Sequence, residues 1–250
     1  MKWLKQRRFQ WLALGAFLSL GAPGGLWLLQ TMLPSTTSFF WVAFIYSAVA
    51  TLIFFSLFGY ASGWFMDRLE FLAFHDTLTR LYNRRYLLQQ LQETIALSHR
   101  YHQSFSLIML DLDYFKKVND RFGHAVGDQT LRAVSQVIRQ MCRNTDIPAR
   151  YGGEEFLIVC PNTANKESHH LAERIRQKVA ELSISELGFP GPQTISLGVL
   201  SSSEQKIPLD TLLQKVDEAM YQAKHQGRNQ VVIGTLTTPT LSPLEKKDSR

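Results

Sequence analysis

The stretch Arg150-Tyr151-Gly152-Gly153-Glu154-Glu155-Phe156-Leu157-Ile158-Val159-Cys160 sets two glycines and two carboxylates between segments with the composition of buried strands. Adjacent carboxylates repel and glycine weakens a strand interior, so the arrangement is locally unfavourable unless something it holds compensates. Glycine pairs suit a tight hairpin turn that needs φ > 0, and they leave room for a bulky anionic group to approach the backbone amides. A glutamate on the turn could complete an oxygen-rich metal site, to which Asp111 and Asp113, at the end of an earlier apolar run, would add hard oxygen ligands suited to Mg²⁺. Metal plus phosphate is the chemistry these residue types suggest. Taken alone, the same residues also describe a solvated hairpin and a strand end followed by a helix cap.

The elements that must position these groups follow from periodicity. A helix is expected over 79–101, a strand over 105–110 ending on Asp111, and a helical segment over 114–121. An amphipathic helix is expected over 128–143, with Leu131, Val134, Val137, Ile138 and Met141 at helical spacing. Two strands flank the glycines, followed by a helix over 166–182, a strand over 194–200, a helix over 209–226 and a strand over 230–233. The order gives an α+β domain, a central mixed sheet flanked by helices.

Ahead of this domain, no Asp, Glu, Lys or Arg occurs from Phe9 to Met66. Two apolar runs, 9–30 and 39–65, are each long enough to cross a hydrocarbon core as a helix, and a short polar connection over 31–38 separates them. A two-helix transmembrane hairpin is expected. Lys2, Lys5, Arg7 and Arg8 precede it within 1–8, Arg68, Arg80, Arg84 and Arg85 follow it, and the connection carries no positive charge. Lys and Arg favour the cytoplasmic side, so both ends should lie in the cytoplasm and the protein in the inner membrane as a multi-pass chain. The basic, apolar start also fits a cleaved signal peptide. A juxtamembrane linker helix over 66–75 would then lead to the domain at 76–234, and the tail 235–250, rich in Thr, Pro, Ser and charge, is expected to be disordered.

Cys142 and Cys160 have no metal-ligand spacing and read as inert thiols in a reducing compartment. The net charge of +6 resides partly in the juxtamembrane Lys and Arg, where attraction to anionic membrane lipid explains it, and no stripe of alternating aromatic and basic residues suggests a nucleic-acid partner.

Five ordered blocks resemble the GGDEF-domain diguanylate cyclases: Asp76-Thr77-Leu78-Thr79 through Asn83-Arg84-Arg85, DLDYFKKVNDRFGHAVGD at 111–128, RYGGEEF at 150–156, TISLGV at 194–199 and DEAMYQAKHQGRNQV at 217–231. The resemblance covers 71–234. It implies the family's nucleotidyl-cyclase-like fold and condensation of two GTP into cyclic di-GMP with release of two pyrophosphates, in a homodimer whose subunits each hold one GTP. The alternative it leaves is an inactive domain that binds GTP or cyclic di-GMP as a receptor. The chain departs from the family pattern in Glu154, where the family name has Asp, in Arg80, where glycine is frequent, and in Val216, where alanine is common.

Carried over residue by residue, the resemblance implies that Asp111, Glu154 and the carbonyl of Leu112 ligate Mg²⁺, with Mn²⁺ as the alternative ion. Glu155 would assist the metal or deprotonate the attacking 3′-OH, making Asp111, Glu154 and Glu155 the catalytic set on a signature loop formed by Gly152 and Gly153. Asn119 and Asp128 would recognise guanine; their bland readings are a helix C-terminal Asn and an N-cap Asp. Lys116, Lys224 and Arg228 would contact phosphates. Arg143 and Asp146 match the family's inhibitory product site for cyclic di-GMP, and their bland reading is a helix C-terminal Arg paired with a turn Asp.

Overall fold

A computed structural model describes residues 24, 27, 28, 31, 37–182, 193–202 and 207–236. Thr37–Phe74 forms one unbroken helix, α1, of 38 residues. Within its stretch Trp41–Phe74 an 18-residue window reaches a mean hydropathy of 2.1, and this is the one helix among the described residues long and apolar enough to cross a membrane. Large apolar side chains such as Trp41, Ile45, Phe54, Leu57 and Phe58 stand exposed along it. The span expected over 39–65 and the linker over 66–75 are thus one continuous helix. At about 1.5 Å per residue it exceeds a bilayer core of ~30 Å. The first span expected over 9–30 lies outside the described residues except for Gly24, Trp27 and Leu28, so one membrane-length helix is described and not a hairpin of two. The expected disordered tail also falls outside them from 237 onwards.

The second unit begins at Phe74. Its elements are β1 (Tyr82–Asn83), α2 (Arg84–Tyr101), β2 (Phe105–Leu112), α3 (Phe115–Phe122), α4 (His124–Met141), β3 (Ile147–Arg150), β4 (Glu155–Pro161), α5 (Asn165–Ala180), β5 (Ile195–Ser202), α6 (Leu209–His225) and β6 (Val231–Ile233). The six strands form one sheet in the order β1-β3-β4-β2-β5-β6. β1 with β3 and β5 with β6 are parallel, and the three central pairings are antiparallel. The expected mixed sheet flanked by helices is therefore the observed fold.

β2 is buried along its whole length, which explains its continuous apolar run. Strand alternation sends Ile108, Leu110 and Leu112 to one face, against Leu131, Val134 and Ile138 of α4 and Ile175 and Val179 of α5. Phe105, Leu107 and Met109 go to the other, against Leu87 and Leu91 of α2 and Val216 and Met220 of α6. Asp111 continues this second series and ends on the α6 side of the sheet.

Two helix starts differ from expectation. The helix expected from 79 begins at Arg84, because the Asp76 carboxylate accepts from the Thr79 amide (2.8 Å) and hydroxyl (2.7 Å), turning the chain before the Asn83 side chain caps α2. The helix expected from 128 begins at His124, directly after Gly123 at φ 84°. Asp128 is therefore inside α4 and not its N-cap.

Candidate active site

The register of the central strands assembles the site. Asp111 of β2 lies opposite Glu155 of β4. The Leu112 amide, one step on, donates to the Glu154 carbonyl at 3.3 Å. From the helix on the same face, Lys224 in the last turn of α6 places Nζ 2.9 Å from Asp111 Oδ2, and the Asp111 side chain is only 4% exposed. Burial pushes the Asp111 carboxyl up to about 6; Lys224 pulls it down, and the charges of Glu154 and Glu155 push it further up. Glu154 is also raised, chiefly by burial, with Lys224 opposing and Glu155 reinforcing the shift. Asp111 and Glu154 thus share one ammonium, and with Glu155 beside them the site carries a local excess of negative charge that favours a bound cation.

The donor set fits a hard divalent ion. No group of three or more His, Cys, Asp or Glu side chains forms a ready metal cage among the described residues. Mg²⁺ ordinarily takes one or two carboxylates and completes its octahedron with water and substrate phosphates, so Asp111, Glu154 and the Leu112 carbonyl are the groups that could form the protein's share.

Asp113, expected as a further oxygen ligand, has a different task. Its carboxylate accepts from Thr194 Oγ1 (2.8 Å), Ser196 Oγ (2.7 Å) and the Asn229 amide (3.1 Å). It is buried, and both of its oxygens accept hydrogen bonds within the protein. A DLD sequence alone does not separate a ligand from such a structural carboxylate.

The hairpin turn also differs in its reason for glycine. Neither Gly152 nor Gly153 takes a positive φ. A Cβ on Gly152 would instead be driven into the Glu155 carboxylate, whereas one on Gly153 would meet open space. Room for Glu155, and not left-handed backbone, is what Gly152 provides. The turn is fastened by the Tyr151 and Gly152 amides on the Glu155 carbonyl (2.8 and 3.2 Å). It is held again by the Arg150 guanidinium on the Gly153 carbonyl (2.7 Å) and the Gly152 carbonyl (3.2 Å). The same guanidinium reaches Asp76 at 3.4 Å.

Asn119, within α3 and three residues before its last, lays its carboxamide over Gly127, where any Cβ would overlap Oδ1. Gly127 directly precedes Asp128, so Asn119 lies against the residue next to Asp128 where α4 passes α3. Gly127 is a close-packing position that spacing alone could not single out. Arg228 stacks over the Tyr114 ring at 4.5 Å, and Lys117, to which the sequence assigned nothing, lies 4.4 Å from the same ring. Lys116 is exposed on the first turn of α3.

Arg143 and Asp146 are not part of this group. They precede the first residue of β3, whereas the glycine turn follows its last. Asp146 Oδ2 accepts from the Arg143 amide at 2.7 Å, a side-chain-to-backbone bond that closes the turn between them. The Arg143 side chain lines a cavity of 540 Å³ with Tyr82, Tyr86, Gln90 and Asp146. It also lines one of 60 Å³ with Asp146, Glu167 and Arg174. Arg174, on α5, is brought to this place only by the fold.

Residues 73–230 match the family described as diguanylate cyclase, GGDEF domain, and the chain belongs to it. Diguanylate cyclase A of Treponema denticola is 38% identical over 167 residues, 66% of this chain and 45% of that protein. The coiled coil and GGDEF domain of DgcB from Caulobacter crescentus, solved in complex with c-di-GMP, is similar with a TM-score of 0.67 at 27% identity, covering 75% of this chain and 100% of that one. The active GGEEF domain of a diguanylate cyclase from Vibrio cholerae is similar with a TM-score of 0.58 at 34% identity, covering 62% of this chain and 98% of that one. The chain spans 36% to 45% of the length of the curated relatives it matches.

A raised carboxyl pKa has a definite sign. In the metal-free fold Asp111 releases its proton near 6 instead of the ordinary 3.8, so its contribution to stability is full below pH 3.8 and is lost as pH rises through about 6. Asp111→Asn, which keeps the neutral shape, should gain stability over the parent as pH rises from 4 to 7, by no more than about 3 kcal/mol. Chemical denaturation of both proteins in chelator at several pH values measures the gap; a gap independent of pH would contradict the assignment.

Proposed function

We propose that the protein is a membrane-anchored diguanylate cyclase that condenses two GTP into cyclic di-GMP and two pyrophosphates. The observation that carries this reading is the convergence of Asp111, Glu154 and Glu155 with Lys224 at the joined ends of β2, β4 and α6. Membership of the GGDEF family and the c-di-GMP complex of a similar structure support it.

The reaction is attack of a ribose 3′-OH on the α-phosphorus of a facing nucleotide, a step governed by positioning and charge neutralisation. Mg²⁺, or Mn²⁺, held by Asp111, Glu154 and the Leu112 carbonyl would supply that neutralisation at the phosphate oxygens. Glu155, held over Gly152, assists the metal site or takes the 3′-OH proton. Asp128 accepts from the guanine N1 and N2 hydrogens, and the Asn119 carboxamide donates and accepts beside it. Lys116, Lys224 and Arg228 bind the phosphates, Arg228 with a forked guanidinium that matches their geometry.

One chain holds one GTP, so two chains must face each other for a bond to form between nucleotides. Helix α1 anchors the protein in the membrane and sets dimer formation, and the flanking Lys and Arg place the catalytic domain in the cytoplasm and against anionic lipid. Cyclic di-GMP returns to Arg143 and Asp146, away from the reacting carboxylates, and inhibits the enzyme.

The full chain in lipid nanodiscs, incubated with GTP and Mg²⁺, should make cyclic di-GMP, identified by chromatography and mass. The Glu154→Ala, Glu155→Ala protein should lose at least ~100-fold in rate. Unimpaired synthesis by the double variant would refute the role of the hairpin, and GTP binding by the parent without product would make the protein a nucleotide receptor. For the product site, Arg143→Ala should abolish inhibition of the initial rate by added cyclic di-GMP. Inhibition that persists unchanged in an active Arg143→Ala enzyme would remove this residue from the regulatory site.

A further inference from the structure

Arg228 sits in a segment that cannot hold its shape unaided. Gly227, Arg228 and Asn229 are three consecutive residues at positive φ, 119°, 65° and 45°. Gly and Asn visit this region readily but Arg does not, and such a run persists only where its surroundings over-determine it.

The surroundings come from two adjacent residues at the end of β2 and from the helices. The Asn229 amide donates to Asp113 Oδ2 (3.1 Å), and Asp113 is locked in turn by Thr194 and Ser196 of the neighbouring strand region. The Arg228 guanidinium carbon lies 4.5 Å from the centroid of the Tyr114 ring. Arg176 of α5 donates to Asn229 Oδ1 (2.9 Å), and the Arg228 amide donates to the Ala223 carbonyl (3.0 Å). Asp113 is buried, whereas Tyr114 is 53% exposed, so one residue holds the loop's backbone from beneath and the other meets its side chain at the surface.

We propose that Asp113 and Tyr114 are positioning residues for nucleotide binding, a clamp that holds Arg228 at the phosphate end of the site, Asp113 through the Asn229 amide and Tyr114 through its ring face. The proposal rests on the cyclase reading, which puts Arg228 on the triphosphate. A guanidinium already stacked on a ring loses less side-chain freedom when it binds, and stacking leaves its in-plane N–H donors directed outward for a phosphate. The clamp therefore acts on triphosphate affinity and KM more than on the bond-making step.

Affinity for a non-hydrolysable GTP analogue and for GMP, together with kcat and KM for GTP, would be measured on the full chain in nanodiscs. Tyr114→Ala should weaken the analogue roughly three- to tenfold and raise KM similarly, with kcat and GMP affinity little changed. Tyr114→Phe, which keeps the ring, should behave as the parent, and Tyr114→Ala combined with Arg228→Ala should bind the analogue no more weakly than Arg228→Ala alone. Asp113→Asn, which removes one accepting oxygen, should give the same selective loss; if it does not fold, the Tyr114 series decides alone. Additive losses, equal losses for GMP and the analogue, or failure of the Phe variant would overturn the clamp. A parent that shows the coupling but makes no cyclic di-GMP would refute the cyclase reading and leave the clamp standing; one that makes cyclic di-GMP without the coupling would do the reverse.

Discussion

A carboxylate buried at the end of the central strand is the constraint on which the rest depends. Asp111 is almost wholly removed from water, and a charge in that position is costly unless something compensates it. Compensation comes from Lys224 at 2.9 Å, which requires α6 to cross the sheet on the face that Asp111 shares with Leu107 and Met109. The β2–β4 register, meanwhile, brings Glu155 opposite Asp111 and adds negative charge to the same place. A one-residue slip would send Asp111 to the face packed by α4 and α5, away from Lys224. Fold and site are thus fixed by the same hydrogen-bond ladder, and the charge left over is what suits the site to a cation and phosphates.

The fold was legible where periodicity is strong and tertiary contacts do not intervene. β2 through its apolar run, the hairpin through its glycines, and α5, β5 and α6 through their spacing lie within two residues of expectation. Errors came where local chemistry that periodicity does not carry set a helix boundary. The Asp76 turn delays α2 to Arg84, although the sequence from Thr79 onward has helical character. Gly123 starts α4 four residues early, and this removes the capping explanation for Asp128. The continuity of α1 from Thr37 to Phe74 could not be read either, because the charges at Asp67 and Arg68 mark where an apolar stretch ends but not where a helix does.

The site was legible as a set of residue types and blocks, less so as a division of labour. Asp111 and Asp113 look equivalent in a DLD sequence, yet strand alternation and the hydroxyls of Thr194 and Ser196 make only the second a structural carboxylate. Gly152 was expected to serve the turn by its φ and serves it by leaving room for Glu155. Gly127, Tyr114 and Arg174 carry no signal of their own in one sequence, because their meaning lies in what the fold lays against them.

The most direct test of the site is a titration of Mn²⁺ into the full-length protein, with free ion followed by electron paramagnetic resonance, in the presence and absence of a non-hydrolysable GTP analogue. Two carboxylates and a carbonyl would form an incomplete shell, leaving positions for phosphate oxygens to fill. Weak binding to the protein alone, tightened at least about tenfold by the analogue and lost in Asp111→Asn, is the expected result. Tight binding without nucleotide, or binding that survives Asp111→Asn, would contradict it.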